Sequence, residues 1–113
     1  MLKISEAARR IGVAEAALRT WFARAPDHNL GRMVGKARVF DRDDLVVLAI
    51  WAALIQGGAG PPHVALATAN RVARMRCATA YAAANGITEA PPTHAAIAVP
   101  LAAIRQRLGG KPQ

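Results

Sequence analysis

Apolar positions in the first quarter of the chain recur at helical rather than strand spacing. In "ISEAARRI", Ile4 to Ile11, residues Ala7, Ala8 and Ile11 turn inward. In "AEAALRTWFARA", Ala14 to Ala25, an apolar stripe of Leu18, Trp21, Phe22 and Ala25 repeats at i, i+3, i+4 and i+7, leaving Glu15, Ala16, Arg19 and Thr20 on the other side. Ser5 is the expected N-cap of the first helix, with Glu6 in its first turn, and that helix should run to about Arg10. Only Ile11, Gly12 and Val13 part the two patterns. Without the glycine they would form one continuous amphipathic helix, so a bend is expected there, and Pro26 with "DHN" ends the second helix.

The pattern then changes period. "LGRMVGKARVF", Leu30 to Phe40, alternates apolar and polar residues around Gly35 and Lys36, which predicts a small hairpin carrying Arg32, Lys36 and Arg38. Asp41 is the expected N-cap of a third helix, with Asp43 and Asp44 in its first turn, running through "LVVLAIWAALI" to about Gln56. "GGAGPP" stops it, and Pro61 and Pro62 suit the opening of a fourth helix. Alanine-rich sequence predicts that this helix continues to a C-cap at Asn85 and Gly86. Residues 87–93 read as a loop with Pro91 and Pro92. "HAAIAV" from His94 predicts a short strand with Ala95, Ile97 and Val99 on one face, and "LAAIRQRL" a short helix with Leu101, Ile104 and Leu108 inward. The expected organisation is a domain over 1–86 and a C-terminal extension over 87–113.

Composition narrows the class. The 113 residues are 53% hydrophobic but only 4% aromatic, which favours a mainly α core of closely spaced helices over a β-sandwich. The net charge of +8 makes a polyanion, nucleic acid first, the expected partner. The excess leans forward: residues 1–42 hold nine basic residues against four acids, the remainder six against three. A single cysteine, Cys77, excludes an internal disulfide and a multi-cysteine metal site. No secretory leader is expected, and the longest apolar run, Leu45 to Ile55, has eleven residues where a membrane span needs about 20. A cytoplasmic, nucleoid-associated protein with no membrane association fits these features.

Catalytic and metal chemistry find little support. "DRDD", Asp41 to Asp44, stands where a helix begins and reads as capping rather than magnesium binding, and His28, His63 and His94 are scattered without zinc spacing. "GGAGPPH" lacks the G-K-[ST] ending of a phosphate loop, and no grouping suggests a nucleophile. No cofactor and no enzymatic activity are expected.

Two short helices joined at a glycine, followed by a basic hairpin, are the parts of a helix-turn-helix with a wing, in which the second helix enters the major groove. "KISEAARRIGV" at Lys3 to Val13, "LRTW" at Leu18 to Trp21, "GKARVF" at Gly35 to Phe40 and "DLVVLAI" at Asp44 to Ile50 resemble, in order and spacing, the DNA-binding domain of MerR-type regulators and their excisionase-like relatives. The resemblance covers about Leu2 to Arg74. It implies a winged helix-turn-helix with a small β-hairpin wing and a second helix pair, and a bacterial or phage origin. The short C-terminal strand plus helix lies outside it. Carried over, the recognition helix falls on Ala14 to Arg24, a backbone-contacting arginine on Arg19, and the wing arginine on Arg38, with Phe40 where a tyrosine is more usual. Trp21 and Phe40 are then expected to pack rather than touch bases.

The expected DNA-binding set is Glu15, Ala16, Arg19, Thr20, Arg24, Arg32, Lys36 and Arg38 on double-stranded DNA. Affinity should come mainly from phosphate contacts by Arg19, Arg38, Lys36 and Arg32, with specificity partly from DNA shape. Ala14 stands where the family usually has a capping hydroxyl, Cys77 is alone, and Pro91, Pro92 and Pro100 preclude the long C-terminal helix of classical members. A homodimer or higher homo-oligomer would therefore form through the fourth helix or residues 94–108. The functional expectation is a bacterial or phage transcription regulator. The alternatives are a phage DNA-packaging recognition subunit, a recombination directionality factor, or an adaptor or antitoxin that meets a protein partner through the C-terminal segment.

Overall fold

The computed structural model describes residues 1–83, 86–92 and 95–109. The chain opens with β1 (Leu2–Lys3), which leads directly into α1 (Ile4–Ile11) and, after Gly12, into α2 (Glu15–Arg24). The hairpin β2 (Arg32–Val34) and β3 (Ala37–Phe40) follows, then α3 (Arg42–Gln56) and α4 (Pro62–Val72). The chain closes with β4 (Ala80–Ala83), β5 (Gly86–Thr88), β6 (Ile97–Val99) and α5 (Leu101–Gly109).

The bend at Gly12 is built as the sequence requires. Gly12 has φ of 81°, a left-handed conformation that a side chain would strain. Its N–H bonds the Arg9 carbonyl at 3.2 Å while the Val13 N–H returns to the Ala8 carbonyl at 3.0 Å. These two bonds form a Schellman closure that satisfies the open carbonyls of α1 and fixes the departure angle of the chain.

Asp41 caps α3 as expected, through a reciprocal pair: its carboxylate accepts from the Asp44 N–H at 2.8 Å and the Asp44 carboxylate accepts from the Asp41 N–H at 3.0 Å. Ser5, in contrast, is not the cap of α1. The helix begins at Ile4 with Lys3 in the cap position and no side-chain cap bond, because β1 pairs with β3 and delivers the chain into the helix two residues early.

The larger correction concerns the fourth helix. It ends at Val72 instead of continuing to residue 85, and residues 80–83 form the central strand of a three-stranded antiparallel sheet ordered β5-β4-β6. Gly86, expected as part of a helix C-cap, and residues 87 and 88, expected as loop, form one of its edge strands; Asn85 and His94 lie outside the described residues. The helix closes in tightened backbone turns, Arg74 N–H to Arg71 carbonyl and Met75 N–H to Val72 carbonyl, and past it Arg105, far along the chain, donates from Nη2 to the carbonyls of Ala73 at 2.8 Å and Met75 at 2.7 Å. Those carbonyls are thus satisfied without another helical turn.

One core joins all of this. Leu18 of α2, Phe40 of β3, Leu48, Trp51 and Leu54 of α3, Val72 of α4, Val99 of β6 and Leu101 of α5 are fully buried in it. Trp51, though buried, donates its indole N–H to the Pro62 carbonyl at 2.9 Å and so ties α3 to the start of α4. Pairing of Ala80 with Val99 and of Ala82 with Ile97 carries the sheet across position 86. Leu101, Ile104 and Leu108 face inward, as their spacing predicts.

Candidate nucleic-acid interface

An aromatic cluster sets the second helix against the hairpin. Phe22 of α2 stacks on Phe40 of β3 with ring centroids 5.7 Å apart and planes 6° from parallel, and both Phe22 and Trp21 meet Trp51 of α3. Offset and tilted ring pairs of this kind favour defined geometry as well as burial. Phe40 is fully buried and Trp21 half-buried, so both act in packing.

Beside this cluster the hairpin and the two helices enclose a groove of about 540 Å³. Arg19 lines it from α2, Lys36 and Arg38 from the hairpin, and Lys3 and Ser5 from the β1–α1 junction. The pairing of β1 with β3 brings the β1–α1 junction, and with it Lys3 and Ser5, to the rim of the groove. Met33 joins them, 55% exposed and paired across the hairpin with Arg38, so both project on the same face of the sheet. Neighbouring residues of a strand face opposite ways, which puts Arg32, opposite Val39, on the other face from Arg38. Arg24 is exposed in the last turn of α2, outside the groove lining.

Each polar side chain of this surface has a present partner or freedom that bears on its use. Arg19 and Glu15 form an exposed ion pair one turn apart, with Nη2 at 2.7 Å and Nε at 2.8 Å from the same carboxylate oxygen. The Thr20 hydroxyl donates to the Ala16 carbonyl at 3.0 Å. Ala14 offers no cap to α2, and Ala16 is exposed without a polar group. Lys36 is exposed at the hairpin turn. Arg38 is half-buried and donates from Nη1 to the Leu30 carbonyl at 2.9 Å, so part of its guanidinium holds the loop before β2.

His28 completes that loop. Its ring lies 4.4 Å from Phe22, its Nδ1 accepts from the Leu30 N–H at 3.3 Å, and it borders the groove. Burial, and then the charge of Arg38, hold its pKa below the ordinary 6.5. The neutral ring is the form that can accept from Leu30.

Of the residues singled out in the sequence, the fold therefore gathers Arg19, Lys36 and Arg38 in one groove. Glu15 reaches them through its pair with Arg19. Lys3, Ser5, His28 and Met33 were missed. They enter through long-range strand pairing and loop closure, for which the local pattern carries no signal.

Among the described residues no cluster of histidine, cysteine or carboxylate groups is arranged to hold a metal ion, and no helix is long and apolar enough to cross a membrane. No curated protein and no solved structure matches the chain. The sequence model of the MerR HTH family regulatory proteins matches residues 2–70, which takes in both short helices, the hairpin, α3 and most of α4. With a glycine-closed helix pair and a cationic groove between its second helix and a hairpin, the chain belongs to the MerR helix-turn-helix regulatory family and carries its DNA-binding domain.

Proposed function

We propose that this regulator binds duplex DNA sequence-selectively with α2 in the major groove and the β2–β3 hairpin as a wing on the adjoining backbone. We further propose that it does so as a homodimer or higher homo-oligomer, without enzymatic activity, in a bacterium, phage or mobile element. The observation that carries the reading is the groove in which Arg19, Lys36, Arg38 and Lys3 converge from separate elements of a MerR-type domain. A major groove about 12 Å wide admits one helix, and cations flanking that helix fall on the phosphates.

The partners of these side chains suit such a role. The Arg19–Glu15 pair is exposed, and a pair of that kind contributes only about 0.2–1 kcal/mol, so a phosphate displaces Glu15 from Arg19 at small cost. Glu15 is then free to accept from a cytosine amino group. With Ala14, Ala16 and Ala17 on the same helix and the Thr20 hydroxyl already bonded to backbone, few groups remain to read base edges. Selectivity then draws on DNA shape and deformability.

Arg19→Ala and Lys36→Ala test the reading, since neither side chain supports the fold through a long-range contact. Each variant should bind all duplex sequences more weakly, with the slope of log affinity against log salt reduced by about one unit. Wild-type binding and slope in both variants would overturn the assignment. Arg38→Ala is a less direct probe because it also releases the Leu30 carbonyl.

A further inference from the structure

A second cationic depression, of about 300 Å³, lies where the start of α3, the segment just past α4 and helix α5 meet. Arg42, Arg76 and Arg105 line it, with Val47 of α3 beside them and Asp43 as the one acid. Three guanidiniums against one carboxylate leave two positive charges in excess. The only ion pair among the described residues is that of Arg19 with Glu15, so among them none of these arginines lies within ion-pair distance of a carboxylate.

Arg105 is half-buried and held by its two bonds to the carbonyls of Ala73 and Met75, which fixes one guanidinium while its other N–H groups stay available. Arg42 and Arg76 are exposed. Like charges gathered from three segments repel one another, and a multiply accepting anion relieves that repulsion. The depression also lies near the hairpin along the chain. Arg42 stands two residues after β3 and four positions after Arg38, a distance of at most about 14 Å along an extended chain. A duplex presents one phosphate charge for about every 1.7 Å of its axis, so a backbone lying on the wing has further charges within reach of Arg42.

We propose that the DNA-binding surface continues past the helix-turn-helix onto this second groove, where Arg42, Arg76 and Arg105 take phosphates of the flanking duplex. The proposal rests on the duplex-binding reading above. It gives α5, which lies outside the family match, a part in binding.

The test uses the full chain and a site recovered by selection from random duplexes. One duplex is trimmed to that site, and another carries an added helical turn of about 10 bp on each flank. Wild-type protein should bind the longer duplex more tightly. Arg42→Gln/Arg76→Gln should bind the trimmed duplex as the wild type does, lose the advantage of length, and lose about two units of salt slope on the longer duplex. Arg42→Lys/Arg76→Lys, which keeps the charges, should retain most of that slope. Equal wild-type affinity for both duplexes, or a Gln variant that keeps its length advantage and slope, would overturn the proposal while leaving the helix-turn-helix reading intact. Failure of the wild type to bind any duplex would overturn both. Polyglutamate binding that the Gln substitutions abolish, with the duplex measurements unchanged, would assign the groove to an acidic protein instead.

Discussion

At the scale of single residues, His28 and Arg38 are coupled through one residue between them. The Leu30 N–H donates to His28 and the Leu30 carbonyl accepts from Arg38, so the loop that positions this hairpin arginine needs His28 unprotonated. The titratable and charged groups around this ring are Arg38 from β3, with Arg19, Lys36 and Lys3 along the groove, and Asp27 and His63 bordering its other side. Burial first and Arg38 second lower the folded-state pKa below 6.5, whereas the unfolded chain takes up the proton near 6.5. Below that pH the unfolded state therefore binds more protons, and the sign of the linkage is fixed. The contribution of His28 to stability is fully present above 6.5 and is lost as pH falls through 6.5 toward the lowered value. Denaturant midpoints should accordingly drop between about pH 7.5 and about pH 5.5, and His28→Gln should flatten that drop. A wild-type midpoint that rises on acidification over this range would contradict the arrangement.

At the scale of elements, the third helix shows what local pattern can specify. Asp41 and Asp44 are three residues apart and satisfy each other's backbone N–H groups, so the start of α3 directly after the hairpin follows from a four-residue stretch. Asp41→Ala should cost about 1 kcal/mol, read as a lower urea midpoint at unchanged slope, and a change below about 0.3 kcal/mol would show that the cap contributes little. The turn at Gly12, the hairpin about Gly35 and Lys36, the helix opening at Pro62 and the inward face of α5 were legible for the same reason: their signals lie within a few residues. The end of α4 was not. The segment just past it is held by Arg105, some 30 residues on, and "AYAA" at 80–83 has alanine on both faces, so it shows no strand alternation. Pairing with β6, through Val99 and Ile97, and with β5 on its other edge makes that segment β, a case of tertiary context overriding alanine's helical preference. The groove divides along the same line. Arg19, Lys36 and Arg38 were legible from a helix, a hairpin and a family motif, whereas Lys3 and Ser5 come into place by the pairing of β1 with β3, nearly 40 residues apart.

At the scale of the whole molecule, the segment beyond the family match is part of the same core as the helix-turn-helix. Ile104 and Leu101 of α5 pack in the cluster that contains Trp51, and Trp51 in turn meets Trp21 and Phe22 of the proposed recognition helix. Loss of packing at the C-terminal helix should therefore reach α2 through α3. Ile104→Ala removes a 6%-exposed side chain and should cost about 2–5 kcal/mol, a large part of the roughly 5–15 kcal/mol that holds a typical domain together. The chain's two tryptophans, Trp21 of α2 and Trp51 of α3, both lie in the aromatic cluster and neither is on α5, so their fluorescence reports the helix-turn-helix side of the core. If the core unfolds as one unit, the tryptophan transition and the far-ultraviolet dichroism transition should move together to lower denaturant in Ile104→Ala, and duplex affinity should fall only where that unfolding begins. A tryptophan transition that stays in place while part of the dichroism is lost early would mean that α5 detaches alone. Arg105 could then be released without disturbing α2, and the two basic grooves would respond independently to mutation. Coincident transitions would instead bind the two grooves into one rigid surface, in which the separation between Arg38 and Arg105 is set by the core and selects the duplex geometry that can span them.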